Sequence, residues 1–424
     1  MIFKVFALGC KVNFYEINAL SYKLLEKGYK EASDDDIPDI VIINTCSVTA
    51  VADQKSRQHI RKFQKLYPNA IIAVMGCYSQ GNAEFIFNEI KPQIVIGTDN
   101  RDKLISYIEK YISTKERTLD ISKDVRKLDY EDFGITSYTD NVRAYLKIQD
   151  GCDNFCTYCV IPYRRGKARS RKFENVIKEA EFLVSSGYKE IILTGIHVGM
   201  YGKDLLNTTF SDLVESVLNI PNLKRLTISS IEESEFDDKL INLFKEKNNL
   251  AKHAHIPLQS GSDTVLKRMG RRYNTKQFKT KIEMLKKASP DIAFTTDVIV
   301  GFPGETEEEF METYNFIKEV GFNQLHVFPY SARPGTPASK MADQIPSEIK
   351  KQRCQKLLDL SKELWDQYCA KFINKELEII IEQIKDGFYF GHSTNYIEVK
   401  IPRKNEKIGD LVTVKLQKSM IYSE

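Results

Sequence analysis

Three cysteines, Cys152, Cys156 and Cys159, stand with C-x3-C-x2-C spacing in the run LKIQDGCDNFCTYCVIPYRRGKARSR. They constrain the chain more than any other feature, because three thiols on one tight loop have few uses. The loop follows a strand-like apolar segment at 144–149, which places the thiols at a strand end. Three soft ligands suit a cubane iron–sulfur cluster whose fourth iron stays open to another molecule. A closed zinc site needs a fourth protein ligand, and none lies nearby in sequence. A redox dithiol and a group of packed thiols are the other readings.

With 424 residues, two or three domains are expected. A hydrophobic share of 42% and a charged share of 28% place the chain among globular proteins. Up to about residue 120, short apolar strands at 3–8, 40–44, 70–75 and 93–96 alternate with helical patterns at 16–27, 51–66 and 99–111. That rhythm predicts a parallel sheet covered on both faces. The polar stretch 113–128 reads as a linker. A second β/α series follows, with strands at 144–149, 190–194, 224–229, 252–257, 292–300 and 323–330. Its six units match an open, partial (β/α)6 version of the TIM barrel. From 371 onward, short strands at 378–384, 388–390, 395–400 and 411–415 predict a small β-barrel. The fold class is therefore α/β with a small all-β tail.

Cys10, Cys46 and Cys77 are too far apart for a local metal motif, but each directly follows a strand: VFALGC, IVIINTC and IAVMGC. Ligands of parallel sheets collect beyond the carboxyl ends of strands, so these thiols can converge on a second cluster. Gly9 and Gly76 permit close backbone approach there. Individually buried cysteines and a redox pair are the alternatives. Cys354 and Cys369 lie in helical sequence and read as packed thiols. No run approaches the roughly 18 apolar residues of a membrane span. ALGC loosely resembles a lipoprotein site, but its apolar stretch is short and reads better as a strand. A cytoplasmic location is expected, where eight cysteines favour metal over disulfides.

The loop at Cys152, with Tyr158 just before its third cysteine, resembles the radical-SAM signature (SAM, S-adenosylmethionine). Nearly all of the chain resembles a methylthiotransferase of that superfamily. The likeness runs through LGCKVN at 8–13, INTC at 43–46, GCYSQ at 76–80, PYRRGKARSR at 162–171, HIPLQSGSDTVLKRMGRRY at 255–273 and TTDVIVGFPGET at 295–306. The tail, through GHSTNYIEV at 391–399 and GDLVTV at 409–414, resembles the RNA-binding TRAM domain. LGCKVN is similar to the type that acts on N6-threonylcarbamoyladenosine. The isopentenyladenosine type usually has a GCQMN-like segment and the ribosomal-protein type a GCPKN-like one.

The resemblance implies an auxiliary-cluster domain at 1–121, a radical-SAM barrel at 138–370 and a TRAM-like domain at 371–424. It implies two [4Fe–4S] clusters, held by Cys10, Cys46 and Cys77 and by Cys152, Cys156 and Cys159. Tyr158 would lie against the SAM adenine. SAM would act both as methyl donor and as source of the 5′-deoxyadenosyl radical. The implied product is a methylthio group on C2 of N6-threonylcarbamoyladenosine beside the anticodon of tRNA. Implied partners are the tRNA anticodon arm, an external electron donor and a sulfur source for the auxiliary cluster, with no membrane.

Barrel-end placement nominates further SAM contacts: Thr194, Gly195, Ser229, Glu232, Gln259 and Asp297. His197 and His255 are weaker candidates, and each could serve packing instead. The segment VGFPGETEEEF lacks the lysine of a phosphate loop, and its acids suit a helix first turn. The formal net charge of +4 carries no argument for nucleic acid, so local clusters must. Arg164, Arg165, Lys167, Arg169, Arg171 and Lys172 form one basic run; Lys267, Arg268, Arg271 and Arg272 form another. Both follow barrel strands and are expected to contact RNA at the active-site mouth. The tail is nearly neutral, with nine basic against eight acidic residues over 371–424. A plain radical-SAM RNA methylase and a nonenzymatic RNA-binding protein are the competing functions.

Overall fold

The structure is a computed structural model and describes residues 1–136 and 142–422. The expected start of the central domain, residue 138, lies outside the described residues, as does the chain end at 424. The first part is a six-stranded parallel sheet of β1 (Ile2–Ala7), β2 (Lys30–Glu31), β3 (Ile40–Thr45), β4 (Ile71–Gly76), β5 (Ile94–Ile96) and β6 (Thr118–Asp120). Its order is β2-β1-β3-β4-β5-β6. The apolar runs of β3 and β4 are buried throughout, as parallel strands covered on both faces require. The expected linker at 113–128 contributes β6 to this sheet. An edge strand needs backbone pairing more than apolar periodicity, so its sequence looked like a connection.

The helix Lys11–Glu26 starts directly after Cys10, earlier than its apolar pattern. A helix over Cys77–Phe85, with no counterpart in the sequence reading, starts at Cys77 itself. Both thiols therefore sit at helix N-termini, where the backbone dipole favours negative charge.

The second part contains β7 (Arg143–Lys147), the short antiparallel pair β8 (Gln149–Asp150) and β9 (Arg169–Ser170), then β10 (Glu190–Thr194), β11 (Arg225–Ile228), β12 (His253–His255), β13 (Ala293–Val300) and β14 (Gln324–Pro329). Parallel sheets β11-β10-β7 and β12-β13-β14 meet where Ser230 bridges His255. Six strands thus curve into a partial barrel, open between β7 and β14. Helix Lys11–Glu26 packs on β7, and helix Ser347–Ala370 packs on β14, where the Leu325 amide donates to Ser361 Oγ at 2.9 Å. One hydrophobic core runs from Phe3, Leu20 and Ile42 of the first sheet to Leu146, Leu226 and Phe294 of the barrel. Burial of that shared core holds the two parts as one packed unit.

The tail forms an antiparallel sheet of β15 (Glu376–Lys385), β16 (Phe388–Ser393), β17 (Glu398–Pro402) and β18 (Leu411–Lys415), in order β17-β16-β15-β18. Ile421 returns to bridge Val399 of β17, which curls the sheet. Its core includes Tyr368 and the buried Cys369 of the preceding helix, while Cys354 packs partly against the main core. Among the described residues, no helix is long and apolar enough to cross a membrane.

Candidate active site

Cys10, Cys46 and Cys77 come together beyond β1, β3 and β4. Gly9 adopts a φ of +93°, and a side chain there would collide with the Cys46 sulfur. Gly76, at φ +106°, lies equally close to Asn44 and Thr45. All three thiols are free. Burial pushes Cys46 up to about 12, and the neighbouring Cys77 and Cys10 add to the shift. Cys77 is also raised by burial, against the opposing charge of Arg165. The sulfurs therefore sense one another, yet among the described residues no three His, Cys, Asp or Glu groups converge on a single ion. Three thiols gathered beyond neighbouring parallel strands fit a cubane, in which each thiolate binds a different iron.

The second set sits on the loop after β8. Burial pushes Cys159 up to about 12, with Cys156 and Cys152 contributing. Arg271 Nη1 donates to Cys156 Sγ at 3.3 Å, and Arg271 Nη2 to Glu232 at 2.7 Å. His197 Nδ1 lies 3.5 Å from Cys152 Sγ, and its Nε2 is 2.7 Å from Glu235. Cations beside thiols favour the thiolate form that iron requires, so this donor set also fits a cluster. Glu232 is held by Arg271 and by Asn154, whose Nδ2 reaches both its oxygens at 3.1 Å.

Two adjoining cavities open near these thiols. One, of about 230 Å³, is lined by Tyr158, Cys159, Gln259 and Asp297, with Val48 and Thr49 from the segment after Cys46. The Tyr158 ring meets Phe302 edge-on at 6.4 Å. The other, of about 590 Å³, is lined by Cys10, Thr194, Gly195, Ser229, His255 and Asp297. Asp297 and Phe328 border both. His255 Nε2 lies 3.3 Å from Asp297.

The sequence reading missed several residues of the larger cavity: Lys11, Arg143, His253, His326, His392 and Tyr396. Four of the chain's six histidines line it, a concentration at strand positions that was visible but unused. The tail reaches the cavity through His392 and Tyr396, the latter stacked on His253 at 4.0 Å.

Most of the expected RNA-contacting arginines are instead internal. Arg165 is fully buried; it donates from Nε to Cys77 Sγ at 3.1 Å, from Nη1 to Glu16 at 2.8 Å and from Nη2 to Asn13 at 2.9 Å. Asp150 accepts from Lys147 at 2.6 Å and from Arg165 at 3.1 Å, and Arg101 pairs with Glu16. Burial alone would raise the Glu16 carboxyl, but Arg101, Arg165 and Lys147 hold it well below its usual range. Arg169 is buried 3.5 Å from Asp150. Arg171, also buried, pairs with Glu179 and with Asp132 at 2.8 Å.

Arg271 follows the helix Asp263–Met269 and donates to Cys156, Arg268 is forked onto Glu309 at 2.9 and 2.7 Å, and Arg164 lies half-buried against Gly81. Except for Arg164, these guanidiniums match carboxylates brought from other elements, because buried charge must be paired. Lys167, Lys172, Lys267 and Arg272 remain exposed.

Comparison with known proteins agrees with this architecture. A model of the radical SAM superfamily matches residues 146–317, and one described as uncharacterized protein family UPF0004 matches 3–97. The threonylcarbamoyladenosine tRNA methylthiotransferase MtaB of Bacillus subtilis is 45% identical over 418 residues, covering 97% of this chain and 93% of that protein. The protein of the same name from Aquifex aeolicus is 35% identical, covering 96% and 98%. The tRNA-2-methylthio-N(6)-dimethylallyladenosine synthase of B. subtilis is 33% identical, covering 99% and 84%. Among solved structures, the radical SAM methyltransferase TsrM of Kitasatospora setae has the same fold, with a TM-score of 0.60 at 14% identity over 80% of this chain and 74% of that one. With paired three-cysteine sets opening on one cavity system and near-full-length likeness to MtaB, this chain belongs to the radical-SAM tRNA methylthiotransferases, in the threonylcarbamoyladenosine family.

Proposed function

We propose that the chain transfers a methylthio group to C2 of N6-threonylcarbamoyladenosine, immediately 3′ of the anticodon in tRNA, using SAM both as methyl donor and as radical source. The carrying observation is that Cys10 lines the same cavity as the barrel-end residues Thr194, Gly195, Ser229 and Asp297. Sulfur and SAM sites that share one space meet the proximity that this bond formation demands. When bound, two [4Fe–4S] clusters and SAM supply the radical and sulfur chemistry that no acid or base can direct at an unpolarised C–H bond.

Cys10, Cys46 and Cys77 hold the auxiliary cluster, and Cys152, Cys156 and Cys159 the SAM-binding one. Arg165 and Arg271 stabilise a thiolate in each set. Tyr158 and Gln259 offer a ring face and a polar group to SAM from the smaller cavity, and Thr194, Gly195 and Ser229 contact SAM from the larger one, with Asp297 bordering both. Glu232 acts through Arg271. The anticodon arm meets Lys167, Lys267 and Arg272 at the mouth. An external reductant and a sulfur source complete the cycle. The segments 1–121, 138–370 and 371–424 divide the tasks of sulfur carriage, SAM cleavage and RNA binding.

Mass spectrometry of tRNA nucleosides from a strain lacking the gene tests the substrate. The methylthio group should vanish from threonylcarbamoyladenosine while the unthiolated nucleoside accumulates. Loss of 2-methylthio-dimethylallyladenosine instead would overturn the substrate reading.

The tail's place in the cavity gives a separate expectation. Tyr396→Ala should raise the KM for tRNA about tenfold, the usual scale of one lost stacking surface. Uncoupled SAM cleavage should change by less than about twofold, because the cluster ligands are untouched. Unchanged tRNA affinity in filter binding would reduce the tail to a cap.

A further inference from the structure

The larger cavity carries an unusual distribution of charge. Among its lining residues the lysine and arginine side chains are those of Lys11 and Arg143. Arg143 is already engaged, 3.0 Å from Glu382 of the tail. Asp297 faces His255 at 3.3 Å, and Glu190 lies near Arg225 at 3.5 Å. Burial lowers the pKa of His253 and of His326, so these two rings are neutral at physiological pH.

Lys11 remains. Among the described residues no hydrogen bond or ion pair engages its ammonium; the charges acting on it are Arg143, which repels it, and Glu190, which attracts it. It is the first residue of its helix, directly after Cys10, and it projects into the cavity. The Lys11 side chain is exposed at the cavity wall, and an ammonium with no protein partner there is available to pair with an anion that enters the cavity.

We propose that Lys11 is the carboxylate receptor of this cavity, donating from its ammonium to the carboxylate of the threonylcarbamoyl group. The inference rests on the threonylcarbamoyladenosine reading above and names the residue that enforces it. A carboxylate brought into the cavity loses water and gains a charge-assisted hydrogen bond from Lys11. An apolar N6 substituent would leave the ammonium desolvated and unpaired, so the same residue both selects the acid and rejects the alkyl group. Because Lys11 follows Cys10, a nucleoside held at its carboxylate is held beside the auxiliary ligand set.

The test uses the full chain with both clusters and two anticodon stem-loops, one carrying N6-threonylcarbamoyladenosine and the other its threonyl carboxamide. Wild-type protein should show a KM about tenfold or more higher for the carboxamide, the scale of one charge-assisted contact. Lys11→Met should raise the KM for the acid to that of the carboxamide and leave the carboxamide value unchanged. Lys11→Arg should restore most of the preference. Iron and sulfide content, measured on each variant, identifies any loss of the adjacent cluster.

Equal KM values for acid and carboxamide in the wild type overturn the proposal without any variant. A Lys11→Met penalty that is the same for both RNAs also overturns it, and assigns Lys11 to an RNA phosphate or the SAM carboxylate. If the wild type thiomethylates a dimethylallyladenosine stem-loop and neither of these, the substrate reading itself has failed.

Discussion

Cys156→Ala abolishes 5′-deoxyadenosine formation from SAM, even with a strong chemical reductant. The loop set has only three thiols, and Cys156 is the one tied by Arg271 to Glu232, so its loss removes both a ligand and the sulfur to which that guanidinium donates. Iron should fall from about eight to about four per chain, because Cys10, Cys46 and Cys77 hold the other cubane independently. The reciprocal variant, with those three cysteines changed to alanine, should also lose about four irons but keep reductive SAM cleavage. Product analysis by liquid chromatography and iron determination measure both. Wild-type cleavage by Cys156→Ala, or unchanged iron in the triple variant, would refute the division of roles between the two sets.

Arg165→Met should be the most damaging single change outside the ligands themselves. It leaves Glu16 and Asp150 buried with one cation fewer and removes the donor to Cys77. Breaking a buried ion pair in this way costs about 3–5 kcal/mol, far more than any exposed pair. The penalty should appear as a lower apparent melting temperature. The auxiliary cluster should also become harder to reduce, because a cationic hydrogen bond to a ligand sulfur stabilises the reduced form. A redox titration followed by electron paramagnetic resonance reads that shift, and Arg165→Lys should recover part of it. Wild-type stability together with an unchanged potential would mean that the cluster of charges is spectator structure.

The fate of Arg165 marks where sequence reading stops. In PYRRGKARSR the arginines at 164, 165, 169 and 171 are chemically alike, and together they resemble a surface that meets phosphate. Their partners Glu16, Asp150 and Glu179 come from other elements, and nothing local announces that these carboxylates will arrive. Only the exposed Lys167, Lys172, Lys267 and Arg272 keep the character that the sequence suggested. Lys11 is the converse case. It reads as an ordinary polar residue at a helix start, and its isolation in a cavity appears only when β7, β10, β11, the β12–β14 strands and the tail close around it.

What the sequence determined by itself was everything set by neighbours along the chain. The spacing of Cys152, Cys156 and Cys159 defines a ligand loop wherever it is placed. The apolar runs before Cys10, Cys46 and Cys77 put each thiol at a strand end, and a parallel sheet aligns strand ends without further instruction. The apolar runs mark β1, β3, β4 and β5 and the six barrel strands, whereas the short β2 and β6 carry no such run. The tertiary structure alone decided which charges are neutralised, which are left facing a cavity, and that His392 and Tyr396 of the tail complete its wall. Charge pairing and cavity shape depend on atoms separated by many residues, and their energies turn on distance and burial that local sequence does not encode.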